Sequence, residues 1–295
     1  MAYACIDIGS NTTRLLVAEP DGDRLRELMT QRAFTSIGKA LSKGKIGAGK
    51  IAETAEVVAK QARLARELGA RETVVVATAA VREAKNRHEF ELAVEEESGL
   101  PVRTLSEDEE GRLAFLGATR TFSGPLDGPI AVVDVGGGST EIVVGTLAEG
   151  AIWEESFRIG SGFLADSYLR SDPPAAAELT AVRLHVGGAF EGLRIPPAHH
   201  AVATGGSANA LRRLVGGELV VETLERAMRI LASRPVSEVA TRFELEPERV
   251  QVLPAGVLIF EELATRLDLP LLISKGGVRE GAIIDMLTRQ RAEAV

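Results

Sequence analysis

The sequence contains a single cysteine, Cys5, among its 295 residues, which excludes a disulfide framework and any zinc site built from several cysteines. It also lacks an apolar run of the ~18 residues that a membrane-spanning helix needs. No basic segment with a cleavage site follows Met1, so we expect no signal peptide. Together these absences predict a cytoplasmic protein with no membrane partner.

Positive charge is also in the minority. The chain has 34 lysines and arginines against 42 aspartates and glutamates, which gives a net charge of −8. A broad nucleic-acid-binding surface needs the opposite balance, so we expect no nucleic acid polymer as a partner. A polyanion could still bind to this chain through a local pocket of backbone amides, arginines or a metal ion.

Strand and helix patterns are mixed along the chain, which predicts an α/β fold. The length fits about two domains. The best linker is Ser123–Gly128, which holds two glycines, a proline and an aspartate. We therefore place a first domain at residues 1–122, a second at residues 123–281 and a C-terminal helix at residues 282–295.

Two strand–turn–strand segments repeat the same pattern. Cys5–Glu19 (CIDIGSNTTRLLVAE) aligns with Val132–Thr146 (VVDVGGGSTEIVVGT), so that Asp7 falls on Asp134. The offset from position 7 to position 134 is 127 residues, close to half the chain. This spacing indicates an internal duplication rather than a short-period repeat.

The two turns have the composition of a phosphate-binding site. Glycine lets the backbone approach a ligand, consecutive turn amides bind anions, and a hydroxyl past each turn adds a donor. An aspartate at the end of the incoming strand, Asp7 or Asp134, fits beside phosphate if it holds a hydrated divalent cation. Two ordinary hairpin turns are the alternative, but the repeated signature favours phosphate binding. The turn residues are Gly9, Ser10, Asn11 and Thr12 in the first copy, and Gly136, Gly137, Gly138 and Ser139 in the second.

Two further glycine pairs open predicted helices. Gly205 and Gly206 precede Ser207, and Gly276 begins the second pair. Either pair could bind an anion at a helix N-terminus, and either fits close packing of a strand against a helix equally well. Arg279 lies near the second pair and is a candidate phosphate ligand.

Two charged side chains are candidates for the chemistry itself. Arg82 follows a predicted strand, and its planar guanidinium group suits a phosphoryl group. A surface arginine paired with Glu83 or Asn86 is the alternative. Glu110 shares a helix stripe with Leu113 that is less polar than a solvated face, so its carboxylate is either paired or functional.

At this point the sequence resembles the exopolyphosphatase / guanosine pentaphosphate phosphohydrolase family, within the superfamily of actin, sugar kinases and heat-shock chaperones. The matching stretches occur in family order and cover nearly the whole chain. They are Asp7–Arg14 (DIGSNTTR), Ala77–Arg82 (ATAAVR), Leu105–Leu113 (LSEDEEGRL), Val133–Glu141 (VDVGGGSTE), Ile159–Phe163 (IGSGF), Thr204–Ser207 (TGGS) and Ser274–Gly281 (SKGGVREG).

The resemblance implies two ribonuclease-H-like domains with the active site in the cleft between them, and a final helix that packs back on the first domain. It places the family's catalytic glutamate on Glu110, its motif arginine on Arg82 and its phosphate loops on the two turns. The family pattern Ser-Gly-x-x-Glu-Ala is changed here at Glu107 and Gly111, which stand where it has glycine and alanine.

The function that the resemblance implies is a Mg²⁺-dependent exopolyphosphatase. Glu110 would activate water, and Asp7, Asp134 or Glu141 would hold Mg²⁺. The close alternative is guanosine pentaphosphate 5′-phosphohydrolase activity. More distant alternatives are an ATP-dependent sugar or acetate kinase and a non-hydrolytic phosphate sensor. From similar proteins we also expect a homodimer.

Overall fold

The computed structural model describes residues 1–22 and 24–293, and the chain divides into two compact units. Unit 1 comprises Met1–Thr121 together with the chain from Gly276 onward, and unit 2 comprises Phe122–Lys275. The first boundary differs by one residue from the one expected from sequence. The second differs by six, because residues 276–281 belong to unit 1 and not to the second domain.

The first part of unit 1 carries a mixed sheet. Within its described residues the strand order is β3-β2-β1-β6-β7, with β1 antiparallel to β2 and parallel to β6. The strands are β1 (Ala2–Ile8), β2 (Thr13–Asp21), β3 (Arg24–Ala33), β4 (Leu41–Ser42), β5 (Lys45–Ile46), β6 (Ala70–Ala77) and β7 (Val102–Thr104), and the helices are α1 (Ile37–Ala40), α2 (Ala48–Glu67), α3 (Ala79–Arg82), α4 (Arg87–Ser98) and α5 (Glu107–Arg120).

Unit 2 carries a second mixed sheet, in the described order β10-β9-β8-β11-β13-β12. Its strands are β8 (Ile130–Val135), β9 (Thr140–Thr146), β10 (Gly150–Phe157), β11 (His200–Thr204), β12 (Glu218–Leu219) and β13 (Leu271–Ile273), and its helices are α6 (Ser161–Tyr168), α7 (Ala176–Ala189), α8 (Gly205–Val215), α9 (Val221–Ser233), α10 (Val236–Phe243) and α11 (Pro247–Leu267). The chain then returns to unit 1 as α12 (Val278–Glu293).

Both units begin with the same topology. In each unit, the first three strands pair antiparallel in chain order, and a later strand pairs parallel with the other edge of the first strand. These strands are β1, β2, β3 and β6 in unit 1, and β8, β9, β10 and β11 in unit 2. The duplication expected from the sequence is therefore a duplication of topology.

The central strands of the unit 1 sheet are buried on both faces, because their side chains alternate between two layers of helices. Ile6 and Leu15 pack with α2 and α4, whereas Cys5 and Leu16 pack with α5 and α12. Helix α12 approaches α5 closely, since a Cβ atom on Gly281 would lie only 2.0 Å from the carbonyl oxygen of Leu113. This close packing explains why the end of the chain belongs to unit 1.

Among the described residues, no helix combines the length and the apolar character needed to cross a lipid bilayer.

Candidate active site

The turn between β1 and β2 leaves consecutive backbone amides available to a ligand. The N–H of Gly9 donates to the carbonyl of Thr12 at 3.0 Å, and the N–H of Gly38 donates to the carbonyl of Ser10 at 2.8 Å. The N–H groups of Ser10, Asn11 and Thr12 have no acceptor among the described residues. Such a run of amides is suited to bind phosphoryl oxygens.

The turn between β8 and β9 repeats these contacts. The N–H of Gly136 donates to the carbonyl of Ser139 at 3.0 Å, and the N–H of Phe163 donates to the carbonyl of Gly137 at 2.9 Å. No acceptor for the N–H groups of Gly137, Gly138 and Ser139 is found in the part of the chain that the structure describes. The first hydrogen bond matches that of the first turn at the 127-residue offset, and the acceptors of the second, Ser10 and Gly137, are also 127 residues apart. The two turns therefore share the hydrogen bond that closes them.

The start of α6 supports the second turn. A Cβ atom on Gly160 would lie 2.5 Å from the carbonyl carbon of Gly137, so only glycine fits without a shift. The N–H of Ser161 donates to the carbonyl of Gly136 at 3.0 Å, and its hydroxyl accepts a hydrogen bond from Ser207. The segment Ile159–Phe163 therefore positions the turn, a role that the sequence analysis did not assign.

The start of α8 brings a carboxylate and a guanidinium group together. Gly205 has a φ of +91°, and a Cβ atom there would lie 2.4 Å from Asp134 Oδ1. A Cβ atom on Gly206 would lie 2.7 Å from Nη2 of the buried Arg249. The glycine pair thus admits two charged side chains to the helix N-terminus. Sequence reasoning missed Arg249, whose only signal is a charge beside the apolar run of α11.

Two carboxylates of unit 2 are candidate ligands for Mg²⁺. Asp134 and Glu141 are directly opposed partners of the antiparallel pair β8–β9, so both side chains lie on the same face of the sheet. Both are buried. Their oxygens are the ligands that Mg²⁺ prefers, and Mg²⁺ is often held by one or two carboxylates, with water and substrate phosphate completing its shell. No cluster of three or more metal-ligating side chains occurs within residues 1–22 and 24–293. Metal binding by this pair stays a prediction.

The structure pairs Glu110 with Arg82 in unit 1. Arg82 Nη1 donates to Glu110 Oε2 at 2.7 Å and to the carbonyl of Leu105 at 3.1 Å. The arginine therefore does not form the surface pairs with Glu83 or Asn86 that the sequence left open. Its Nε and Nη2 hydrogens have no acceptor among the described residues, so they remain available to an anion.

The position of Glu110 follows from the start of α5. Ser106 caps the helix: its hydroxyl accepts from the N–H of Glu109 at 3.1 Å, while Glu109 Oε2 accepts from the N–H of Ser106 at 3.0 Å. This reciprocal pair confirms the capping box expected from the sequence. Glu110 follows in the first helical turn and is 7% exposed. The carboxylate is thus held at a fixed point while Glu107 stays in solvent.

Positive charge is concentrated beside the first turn. Asp7, Arg14 and Arg32 are opposed partners across β1, β2 and β3. The nearby positive charge of Arg279, burial and the charge of Arg32 lower the pKa of Arg14 to about 9, against the opposing effects of Asp7 and Glu280. Burial raises the pKa of Asp7, although Arg14 and Arg279 act in the other direction. An anion at this point would relieve the repulsion between the arginines. Arg32 lies in a strand that the sequence analysis did not predict.

Gly276 and Arg279, the remaining predicted phosphate ligands, form hydrogen bonds with other residues of unit 1. The N–H of Gly276 donates to Thr121 Oγ1 at 3.0 Å. Arg279 is buried, and its Nη1 donates to Thr30 Oγ1 at 2.9 Å and to the carbonyl of Leu15 at 3.3 Å. These contacts fit the close-packing alternative for the second glycine pair. Phosphate binding by these two residues stays a prediction.

Comparisons with known proteins place the chain among characterised relatives. The Ppx/GppA phosphatase family matches residues 16–290. Exopolyphosphatase 1 of Mycobacterium tuberculosis is 32% identical over 97% of this chain and 88% of its own length. Exopolyphosphatase 1 of Mycobacterium leprae is 28% identical over 97% of this chain and 90% of its own length. The crystal structure of the Aquifex aeolicus member of the Ppx/GppA family superimposes with a TM-score of 0.82, at 29% identity, over 98% of both chains.

The fold and the duplicated turns define a two-domain protein of the actin-like class, with ribonuclease-H-like units, as expected from the sequence. Within that class, the chain belongs to the Ppx/GppA phosphatase family.

Proposed function

We propose that this protein is an exopolyphosphatase, which releases orthophosphate from the end of inorganic polyphosphate. The observation that carries the proposal is the pairing of buried Glu110 with Arg82, whose remaining N–H groups are open to an anion. The family membership and the relatives named exopolyphosphatase support the substrate class.

Substrate binding rests on the backbone in this proposal. Each turn binds phosphoryl oxygens of the polyphosphate through its own open amides, residues 10–12 in unit 1 and residues 137–139 in unit 2. Because the donors are main-chain groups fixed by the turn hydrogen bonds, they need no reorganisation as charge develops in the transition state. Arg82 adds a planar donor group in unit 1.

Glu110 acts on the attacking water. Its carboxylate accepts a proton from the water as the oxygen attacks the terminal phosphorus, and the bond to the rest of the chain breaks in line. The hydrogen bond from Arg82 fixes the orientation of the carboxylate, and the bond from Arg82 to Leu105 fixes the arginine. Phosphoryl transfer depends chiefly on this kind of positioning together with electrostatic stabilisation.

Asp134 and Glu141 would hold Mg²⁺, because they are the buried carboxylate pair on one face of the sheet in unit 2. Bound there, Mg²⁺ supplies neutralisation of the charge on the phosphoryl oxygens. Asp7, the third candidate, has the positive charges of Arg14 and Arg279 beside it, which repel a cation.

The test is phosphate release from polyphosphates of graded length, with Mg²⁺ and with EDTA in its place, and no acceptor added. We expect release from polyphosphate that depends on Mg²⁺. Release from guanosine pentaphosphate but not from polyphosphate would assign the alternative hydrolase activity. A requirement for a sugar or acetate acceptor would instead assign a kinase, and binding without turnover would assign a sensor.

We further propose that the protein works as a cytoplasmic homodimer, as the resemblance implies. Light scattering of the purified chain gives the mass of the assembly, and cell fractionation gives its location. A monomeric mass or a membrane-bound fraction would contradict this proposal.

A further inference from the structure

Unit 1 contains a surface groove that the proposed reaction does not use. It has a volume of about 340 Å³ and lies between the β2–β3 hairpin, α5 and α12. Its wall on α5 carries Arg112, Leu116 and Arg120, spaced four residues apart and hence on one helix face. The groove is therefore built from three elements of a single folded unit.

The charge in this groove is opposite to that of the whole chain. Four arginines line it: Arg24, Arg112, Arg120 and Arg291. The only acidic residue of the described lining is Asp285, which already pairs with Arg112 at 2.9 Å and also with Arg289 at 2.9 Å. In a protein with a net charge of −8, this local excess of guanidinium groups favours an anionic ligand.

Two of the arginines are open to a ligand. Arg24 and Arg291 are exposed, and neither side chain forms a hydrogen bond or ion pair with any described residue. They come from the hairpin and from α12, so they face the groove from different elements. A guanidinium group binds phosphate through two parallel N–H donors, and its flat face also stacks on planar rings.

The groove is separate from the candidate catalytic residue. Arg112 is two positions after Glu110 on α5, so the two side chains leave the helix about 200° apart. The apolar residues between the arginines, including Leu25 and Leu287, also pack with the core of unit 1. The groove thus combines an apolar floor with cationic walls.

We propose that this groove is a second anion-binding site, which takes a molecule with two or more linked phosphoryl groups. The open guanidinium groups of Arg24 and Arg291 come from two different elements, and this spread suits several phosphoryl groups better than one. Two sources share this chemistry, a segment of inorganic polyphosphate and a nucleoside di- or triphosphate. The proposal does not depend on hydrolysis at Glu110.

The experiment is calorimetric titration of the full chain in EDTA, with inorganic tripolyphosphate and with ATP as separate probes. The groove variant is Arg24→Glu/Arg291→Glu. The matched control is Arg63→Glu/Arg66→Glu, which makes the same charge change at exposed arginines of α2. We expect the groove variant to lose one binding event, or to weaken it at least about tenfold, while the control binds like the wild type.

The two probes distinguish the sources. Loss of binding for both probes assigns the site to linked phosphoryl groups in general, and loss for ATP alone assigns it to a nucleoside phosphate. The milder variant Arg24→Gln/Arg291→Gln should weaken the same event by a smaller factor, which guards against misfolding of the charge-reversed chain. Equal binding by wild type and groove variant, or equal weakening in the control, would overturn the proposal.

Discussion

Replacing Gly160 by alanine tests how closely α6 holds the turn between β8 and β9. Gly160 has a φ of −131°, which any residue adopts, so the substitution adds no backbone strain. The new Cβ atom would lie 2.5 Å from the carbonyl carbon of Gly137, whereas ordinary contact begins at 3.4 Å. The turn or the helix must therefore move by about 0.9 Å, the difference between these distances.

A displacement of this size has two consequences. Overpacking of this kind costs roughly 1–3 kcal/mol of folding stability. A shift of about 1 Å in a group that positions substrate costs about a hundredfold in rate. We therefore expect kcat/KM for phosphate release to fall about a hundredfold while the variant stays folded, as checked by urea unfolding and circular dichroism.

The matched control is Gly187→Ala in α7, where a Cβ atom would meet nothing within 4 Å. This variant should keep its turnover and gain up to about 1 kcal/mol of stability, since alanine favours a helix over glycine. Wild-type turnover and stability in Gly160→Ala would refute the idea that α6 fixes the turn.

Three further predictions follow from unit 1. Burial raises the pKa of Asp7 above its ordinary value of 3.8, so the folded state binds the carboxyl proton more tightly than the unfolded chain does. The contribution of Asp7 to folding stability therefore falls as pH rises above that ordinary value. Urea unfolding should therefore show Asp7→Asn gaining stability relative to wild type as pH rises above the ordinary value of 3.8, and the opposite trend would mean that the arginines dominate. Burial also raises the pKa of the Cys5 thiol well above its ordinary value, so a thiol reagent at mild alkaline pH should label it only after unfolding, and rapid labelling of the folded protein would contradict its burial. Ser106→Ala removes the cap of α5 and should cost about 1 kcal/mol of stability in urea unfolding, whereas an unchanged midpoint would show that the capping box is dispensable.

The elements nearest the site were the most predictable from sequence. The hairpin β1–β2 and its copy β8–β9 carry their turn chemistry locally, and the capping box at Ser106 lies within four residues. In each case the physical signal is contained in a short segment. The duplicated turns could be found for the same reason, because the repeat itself is visible in the sequence.

Other features depend on contacts between distant residues. Strand β3 is largely exposed and polar, so it has no hydrophobic alternation to mark it, yet it brings Arg32 opposite Arg14. The bond between Arg82 and Glu110 joins residues 28 positions apart on separate helices. Only the packing of the unit reveals that these two are partners.

The role of glycine also depended on three-dimensional packing. Gly160 and Gly281 both sit where another segment approaches within the reach of a Cβ atom. A sequence shows only that a glycine is present, whereas the approaching segment, Gly137 in one case and Leu113 in the other, determines whether it is needed.

The central claim is that Glu110 primes the attacking water, and the rate of phosphate release by Glu110→Gln tests it most directly. The control is Glu107→Gln, a change of the same kind at an exposed position of the same helical turn. We expect Glu110→Gln to bind polyphosphate and stay folded but to lose about a hundredfold to ten-thousandfold in kcat, while Glu107→Gln turns over like the wild type. Near-normal phosphate release by Glu110→Gln would contradict the account.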